Sequence, residues 1–151
     1  MSVSLIHDPI HTLLGISMFT TRIHPRFSDT DALGHINNTV IPVWFLEARE
    51  PVLRLFSPSL DIAKAALAVV RIEVDYVAET RFGSDVEIIT TVAKLGNSSL
   101  QLTQEVWQDD TLTARGLATL VNFDPVARRA MPIPEEVRAV LAEHLSASSQ
   151  E

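Results

Sequence analysis

The sequence contains no cysteine, and this absence removes three kinds of chemistry at once. A chain without cysteine forms no disulfides, binds no metal through thiolates and has no cysteine nucleophile. Long apolar runs are missing too, since no stretch reaches the roughly 18 consecutive residues that cross a bilayer. The amino terminus also lacks the basic segment and hydrophobic core of a secretory signal. We therefore expect no membrane contact and a cytoplasmic location.

Basic residues are in short supply. The 12 Lys and Arg residues are outnumbered by 19 Asp and Glu residues, which gives a formal net charge of −7. This balance argues against a general nucleic-acid binder, because neutralising phosphates requires a basic face. The remaining composition, 46% hydrophobic and 21% charged over 151 residues, is typical of one globular domain with a real core.

The sequence pattern divides the chain into three parts. Residues 1–17 continue no later pattern and are interpreted as an amino-terminal extension. His7 and His11 in this extension have the spacing of metal ligands on a helix, but no third ligand accompanies them. Residues 18–145 form the predicted domain, and the polar residues 146–151 form a predicted flexible tail.

Apolar periodicity predicts one sheet and one main helix. The predicted elements are a strand over 18–27, a helix over 40–56, strands over 68–76, 86–95, 100–108 and 112–123, and a final helix over 134–144. The first helix is apolar around most of its circumference, so we expect it to be buried nearly all round. Pro51 removes one of its hydrogen bonds and predicts a kink or break near Arg49-Glu50.

The order of these elements predicts an α+β fold, in which an antiparallel sheet of about five strands wraps around a long central helix. Such a sheet has two edges and one face that need covering. Small domains often meet this need by forming dimers, so we expect a homo-oligomer.

A polar cluster precedes the main helix. The stretch Phe27–Asn38 (FSDTDALGHINN) holds two carboxylates, an imidazole, two carboxamides and a glycine between apolar segments. Backbone N–H groups and a partial positive charge gather at the amino end of a helix. An acid beside such an end can polarise a carbonyl group and attack it. The cluster is therefore the candidate active site.

This cluster carries a family resemblance. The segment Asp29–Asn38 (DTDALGHINN), followed by Trp44–Arg49 (WFLEAR), resembles the hotdog-fold acyl thioesterases, with the closest similarity to the 4-hydroxybenzoyl-CoA thioesterase-like group. Its His-x-Asn-Asn portion is similar to the plant acyl-carrier-protein thioesterases. The resemblance spans roughly residues 19–145 and also includes Val74-Asp75-Tyr76, Gly83-Ser84-Asp85-Val86, Val121-Asn122-Phe123-Asp124 and Pro132-Ile133-Pro134-Glu135.

The resemblance implies a hotdog fold and the hydrolysis of an acyl-CoA or acyl-carrier-protein thioester to free acid and thiol. Coenzyme A would be part of the substrate, and neither a cofactor nor a metal would be needed. The acyl chain would lie between the protomers of a homodimer or homotetramer. The second acid of the family's loop is the catalytic one and falls on Asp31, as general base or as nucleophile.

Neighbouring residues have supporting roles in this hypothesis. His35 stands where the acyl-carrier-protein thioesterases have their histidine, and it either positions substrate, shares a proton or is bound to backbone. Gly34 is expected to allow close backbone approach or a positive φ. The N–H groups around Asn37, Asn38 and Thr39 would face the thioester oxygen, and at least one asparagine is expected to cap the helix. Asp29 is interpreted as turn structure.

Three other functions use the same residues. A non-catalytic acyl-CoA binding or sensing module would keep the fold, and so would a hydratase or dehydratase of acyl thioesters. Metal-dependent hydrolysis is a weaker alternative, in which Asp29, Asp31 and His35 supply three ligands. The candidates for binding the phosphates of coenzyme A are Arg71, Lys94, Arg115, Arg128 and Arg129.

Overall fold

The structure is a computed structural model that describes residues 18–61 and 66–146. The predicted extension over 1–17, with His7 and His11, and the tail beyond residue 146 lie outside the described residues. The elements are β1 Phe19–Ile23, a 3₁₀ turn Phe27–Asp29, α1 Val40–Ala48, α2 Glu50–Phe56, β2 Ala66–Tyr76, β3 Val86–Leu95, β4 Ser99–Gln108, β5 Thr111–Asp124, β6 Arg129–Ala130 and α3 Glu135–Ala142.

One antiparallel sheet contains all the strands in the order β1-β3-β4-β5-β2, and the two-residue β6 pairs with the end of β5. The α+β class and the five main strands agree with the sequence prediction. The predicted turn at Asp109-Asp110 joins β4 to β5, and both residues have positive φ, 48° and 64°. That pair of conformations suits a tight hairpin turn because its twist matches that of the flanking strands.

The expected long central helix is wrong, because two short helices take its place. Arg49 is the C-cap of α1 and also the N-cap of α2. The break lies where Pro51 predicted it, since proline has no N–H to continue the hydrogen-bond ladder. Among the described residues, no helix is long and apolar enough to cross a membrane.

Helix α1 packs one face against the concave face of the sheet. Ile41, Trp44, Phe45 and Ala48 are at most 5% exposed and join Val86, Ile88, Val106 and Ala114 in one core cluster. The expectation that this helix is buried all round is wrong for a single protomer. Val43 and Leu46 are 61% and 53% exposed because the protomer's own sheet covers only one side of the helix.

A buried polar network fixes the helix break to the centre of the sheet. Gln104 of β4 donates from Nε2 to the carbonyl oxygen of Phe45 at 2.9 Å and to Oγ1 of Thr90 at 3.2 Å. The Arg49 guanidinium donates to Oε1 of the same glutamine at 3.1 Å. These bonds satisfy buried polar groups, and so hold α1 at a fixed height above the sheet.

Candidate functional site

The predicted cluster forms a compact loop. Thr30 and Ile36 pair as an isolated antiparallel bridge, and the N–H of Asn37 donates to the carbonyl oxygen of Asp29 at 2.8 Å. Asp29 itself is 3% exposed and accepts hydrogen bonds from the backbone N–H and the guanidinium of Arg26. Its carboxylate therefore acts as turn structure, as the sequence suggested.

Asp31 closes the tip of this loop. Its Oδ1 atom accepts hydrogen bonds from the N–H groups of Leu33 at 2.8 Å and His35 at 3.1 Å. Its own N–H donates to the carbonyl oxygen of His35 at 2.7 Å. Oδ2 accepts no hydrogen bond from the described part of the chain. One oxygen therefore orients the carboxylate, and the other is left to act on a ligand.

Gly34 has the positive φ that the sequence predicted, at 81°. Side chains with a Cβ atom rarely adopt this conformation. The glycine lets the chain reverse between Asp31 and His35, and its N–H donates to the carbonyl oxygen of Asp31 at 3.3 Å. Its contribution to the site is the tight turn that aims the Asp31 carboxylate.

The N-cap of α1 is Thr39, without a side-chain capping bond, and the turn before it is held by Asn37. Its Oδ1 atom accepts from the N–H of Thr39 at 3.0 Å and from the Thr39 hydroxyl at 2.8 Å. With the bond from the Asn37 N–H to Asp29, two of the three N–H groups expected to face a ligand are already occupied. Within the segment 37–39, the N–H of Asn38 is the one that donates no hydrogen bond to the described residues.

Strand β2 reaches the same point from the sheet. The Tyr76 hydroxyl, at its end, donates to the carbonyl oxygen of Asn38 at 2.5 Å. The segment after the strand continues alongside the loop, because the N–H of Ile36 donates to the carbonyl oxygen of Thr80 and His35 pairs with Arg81.

The His35 ring lies beside Glu79. Its Nε2 lies 3.2 Å from Oε2 of Glu79, and the Arg81 guanidinium donates to the same oxygen at 2.9 Å. This contact places the imidazole next to a carboxylate that already pairs with Arg81. Its other nitrogen accepts or donates no hydrogen bond within the described residues.

Sequence reasoning missed three of these residues. Glu79 follows β2 in a segment without periodicity, so no local pattern connects it to His35. Tyr76 lay within the family resemblance but had received no role. Gln104 was detectable, because it is a polar residue at an inward position of β4, between Leu102 and Val106.

The metal alternative finds no support in the geometry. Within residues 18–61 and 66–146, no three His, Asp or Glu side chains are arranged to hold a metal ion. Asp29 bonds to Arg26, and the His35 ring faces Glu79. The three proposed ligands therefore face separate partners.

The candidate phosphate-binding cations fall into two groups. Arg71 is paired with Glu73 at 2.6 Å, and Arg115 lies 3.6 Å from Glu105. Lys94, Arg128 and Arg129 have no ion pair within 4 Å in the described part of the chain. Of these, Arg128 and Arg129 lie at the β5–β6 turn, at the opposite end of β5 from the loop.

Comparison with solved structures gives two informative neighbours. A predicted thioesterase from Bacillus stearothermophilus is 42% identical, with a TM-score of 0.83, covering 86% of this chain and 98% of that one. A thioesterase from Thermus thermophilus, solved with coenzyme A and Zn, is 32% identical, with a TM-score of 0.72 and coverage of 81% and 95%.

Comparison with curated proteins and family models agrees. The acyl-CoA thioester hydrolase YbgC of Escherichia coli O6:H1 is 24% identical over 130 residues, which cover 83% of this chain and 97% of that protein. The model of the thioesterase-like superfamily matches residues 25–141, a span that contains the whole loop and both central helices. The chain belongs to the thioesterase-like superfamily, and it is a thioesterase.

Proposed function

We propose that the protein hydrolyses acyl-CoA to a free acid and coenzyme A, with Asp31 as the group that acts on the thioester. One observation carries this assignment. Two backbone N–H groups fix Oδ1 of Asp31, while Oδ2 accepts no hydrogen bond from the described residues. A carboxylate held in this way is oriented before the substrate arrives, which is how a general base or nucleophile is prepared.

The reaction balances with the residues of this loop. As a base, Asp31 removes a proton from water while the water oxygen bonds to the thioester carbon. The tetrahedral intermediate then expels the thiolate, which recovers the proton. As a nucleophile, Asp31 forms an anhydride that water hydrolyses. Both routes place negative charge on the thioester oxygen, and both use no cofactor.

The donor for that charge is assigned to the N–H of Asn38. It lies at the amino end of α1, where the helix dipole favours negative charge, and it is the unused N–H of the segment 37–39. A single preorganised donor of this kind stabilises the transition state by about 3 kcal/mol.

His35 is assigned a supporting role beside the reacting groups. Its backbone N–H holds Oδ1 of Asp31, and its ring is oriented by Glu79. The imidazole would contact substrate through the nitrogen that faces away from Glu79. Gly34 shapes the turn, while Asn37 and Thr39 hold the helix end through their side chains.

The proposal includes a homodimer or a homotetramer built from it. Strand β2 is an edge of the sheet, and Val69, Ile72 and Tyr76 are 44%, 43% and 51% exposed there. An uncovered apolar edge of this length favours pairing with a second strand. A two-fold axis would pair two β2 strands antiparallel and cover the exposed side of α1.

Such a dimer would also bring Arg128 and Arg129 towards the site. Antiparallel pairing places the end of one β2 beside the start of the partner strand. The β5–β6 turn of the partner lies at that start, because Ala66 pairs with Phe123 and Phe123 with Ala130. Arg128 and Arg129 would then lie about three strand spacings, or roughly 14 Å, from Tyr76 of the other protomer. This distance suits the phosphates of a bound coenzyme A.

A panel of acyl-CoA substrates of increasing chain length, assayed by release of free thiol, tests the function. Asp31→Asn should lower kcat/KM by about 10²- to 10⁴-fold for the best substrate. The asparagine keeps an oxygen for the N–H groups of Leu33 and His35, so the loop should stay folded. Asp85→Asn is the matched control, since Asp85 is an exposed carboxylate bonded to His24 and has no role in the site.

Three results would overturn the proposal. One is equal turnover by Asp31→Asn and the wild type. Another is saturable acyl-CoA binding without turnover, which identifies a binding module. The third is loss of enoyl absorbance without release of thiol, which identifies a hydratase.

Isotope labelling tests the two roles of Asp31. If water attacks the thioester directly, turnover in H₂¹⁸O labels the product acid and leaves the Asp31 carboxylate unlabelled. If an anhydride forms and water attacks its Asp31 carbon, ¹⁸O enters the Asp31 carboxylate and the product acid receives an unlabelled oxygen from the enzyme. Mass spectrometry of the peptide that contains Asp31 detects this transfer.

A further inference from the structure

We propose that Tyr76 is a positioning residue, whose phenol holds the Asn38 carbonyl so that the neighbouring Asn38 N–H faces the substrate oxygen. This inference rests on the proposed function. It adds a residue that lies on a strand, outside the loop, and that acts through the backbone of Asn38.

The hydrogen bonds around Asn38 show how this works. The peptide unit that joins Asn38 to Thr39 is held at both ends, by the Tyr76 hydroxyl on its carbonyl oxygen at 2.5 Å and by Asn37 Oδ1 on its N–H at 3.0 Å. The preceding unit is held at one end only, where the Asn37 carbonyl oxygen accepts from Val40 at 2.9 Å. The unused end of that unit is the Asn38 N–H. Fixing its neighbour limits the directions in which this N–H can point.

Tyr76 is suited to this task because its position depends on the sheet. Its backbone pairs with Ala114 of β5, and Ala114 is fully buried in the main core cluster. The loop itself consists of turns, which are usually more mobile than the elements they connect. The hydroxyl therefore connects the helix end to the most rigid part of the molecule.

The hydroxyl contributes little to overall stability. Tyr76 is 51% exposed, and one hydrogen bond at a partly exposed site adds little to the free energy of unfolding. Replacement by phenylalanine keeps the ring and removes only the donor. The fold should therefore survive Tyr76→Phe, and any change in the reaction would come from the orientation of Asn38.

The protonation state of the Tyr76 phenol gives a second way to test its hydrogen bond. Burial raises the pKa of Tyr76, so the phenol remains a donor through the neutral and mildly alkaline range. A phenolate cannot donate and would repel the carbonyl oxygen. The only hydrogen bond of the phenol within the described residues is the one to Asn38. The titratable side chains on the surrounding elements are those of Asp29, Asp31, His35, Glu47, Arg71, Glu73, Asp75, Glu79, Arg81, Arg115 and Asp124.

The first experiment compares Tyr76→Phe with the wild type on the best acyl-CoA substrate. We expect kcat to fall about 10-fold with KM changed by less than about twofold, because the donor matters chiefly in the transition state. Arg54→Met is the matched control. It removes exposed hydrogen bonds to Glu50 and to the Pro58 carbonyl on α2, away from the loop, and should leave kcat unchanged.

The second experiment exploits the fact that the chain contains a single tyrosine. Biosynthetic incorporation of 3,5-difluorotyrosine labels residue 76 alone and makes the phenol more acidic. The alkaline limb of the kcat profile should move to lower pH, in step with the phenol titration followed by ¹⁹F NMR. Tyr76→Phe protein from the same medium contains no fluorotyrosine, so its profile should match that of unlabelled Tyr76→Phe.

The outcomes distinguish failure of the Tyr76 positioning role from failure of the proposed acyl-CoA hydrolysis. If wild type turns over acyl-CoA and Asp31→Asn does not, but Tyr76→Phe keeps the full kcat, the positioning role is wrong and the function stands. The positioning role is also contradicted if the alkaline limb of the kcat profile stays at the same pH after fluorination. If wild type shows no turnover, both proposals fail.

Discussion

The two edges of the sheet differ in length, in chemistry and in what covers them. Strand β1 has five residues and is followed by Pro25, which cannot donate a backbone hydrogen bond. Its Arg22 is exposed and charged. Strand β2 has eleven residues and presents Val69 and Ile72 to solvent. A short, charged edge is protected from pairing, whereas a long apolar edge invites it.

This difference shows where the protomer is complete and where it needs a second copy. Helix α1 seals the β1 and β3 side of the concave face, where Val86 and Ile88 are buried in the same core cluster as the helix. On the other side, Ile72 lies opposite the buried Ala118 of β5 and is still 43% exposed, whereas Val74, opposite Gly116, is partly covered by the main core cluster. Tyr76 and the Asn38 end of α1 lie at this open side.

Placing a charge on the open edge should have the largest effect. Ile72→Asp would bury two carboxylates in the proposed dimer, and each unpaired charge costs several kcal/mol. We expect the dimer dissociation constant to rise at least about 100-fold, and kcat/KM to fall with it. Light scattering after size exclusion measures the first and the thiol assay the second.

Arg22→Asp on β1 is the control for that change. It places the same side chain on the closed edge, opposite Glu87, where like charges cost at most about 1 kcal/mol. The oligomeric state should not change. If Ile72→Asp and Arg22→Asp raise the dimer dissociation constant equally, the β2 edge is not the edge that pairs.

Gly116 lies at the boundary between the sealed and open sides of the sheet. A substitution there should have the second largest effect, a loss of folding stability. A Cβ atom at this position would lie 2.6 Å from Cε2 of Phe45, far inside van der Waals contact. Gly116→Ala should destabilise the fold by about 1–3 kcal/mol through overpacking, measured by urea denaturation. Combining it with Phe45→Leu should recover part of the loss, and strict additivity of the two changes would contradict this explanation.

The turn that follows the closed edge should give the smallest effect, and it depends on pH. Burial raises the pKa of Asp29, but the side-chain and backbone hydrogen bonds from Arg26 outweigh it and hold this pKa below its usual value. The ionised carboxylate therefore stabilises the fold above the pKa of the unfolded chain, and this contribution disappears as pH falls through the lower folded-state pKa.

Asp29→Asn tests this contribution. The variant should lose about 1 kcal/mol at neutral pH, and its stability should change less than that of the wild type during acidification. Urea unfolding at a series of pH values measures both. Parallel curves for the two proteins would contradict the role of the Arg26–Asp29 pair.

Much of the fold could be predicted because its signals are local. Alternating apolar residues marked β2, and Pro51 marked the helix break. The length of the central helix was overestimated, because apolar periodicity continues across the break. The exposed face of α1 was also misjudged, since apolar composition does not specify whether the same chain or another copy covers a residue.

The candidate site was predictable in part. The motif indicated Asp31, and Gly34 has the backbone conformation expected for it. The donor set around residues 37–39 was too wide, because hydrogen bonds that occupy two of the three N–H groups depend on the Asp29 carbonyl and the Asn37 side chain. Glu79 was missed because its contact with His35 spans 44 positions and follows from strand pairing.

The sequence by itself determined the class of the fold, the family and the candidate active-site loop. Periodicity and turn residues are relations between near neighbours in the sequence, and the motif occupies only a dozen residues. Only the tertiary structure decided which atoms of that loop remain available. Within residues 18–61 and 66–146, Asp31 Oδ2 and the Asn38 N–H make no hydrogen bond although their neighbours do, and Tyr76 reaches Asn38 from a strand 38 residues away. Hydrogen-bond occupancy depends on distances in space, and the order of residues does not contain them.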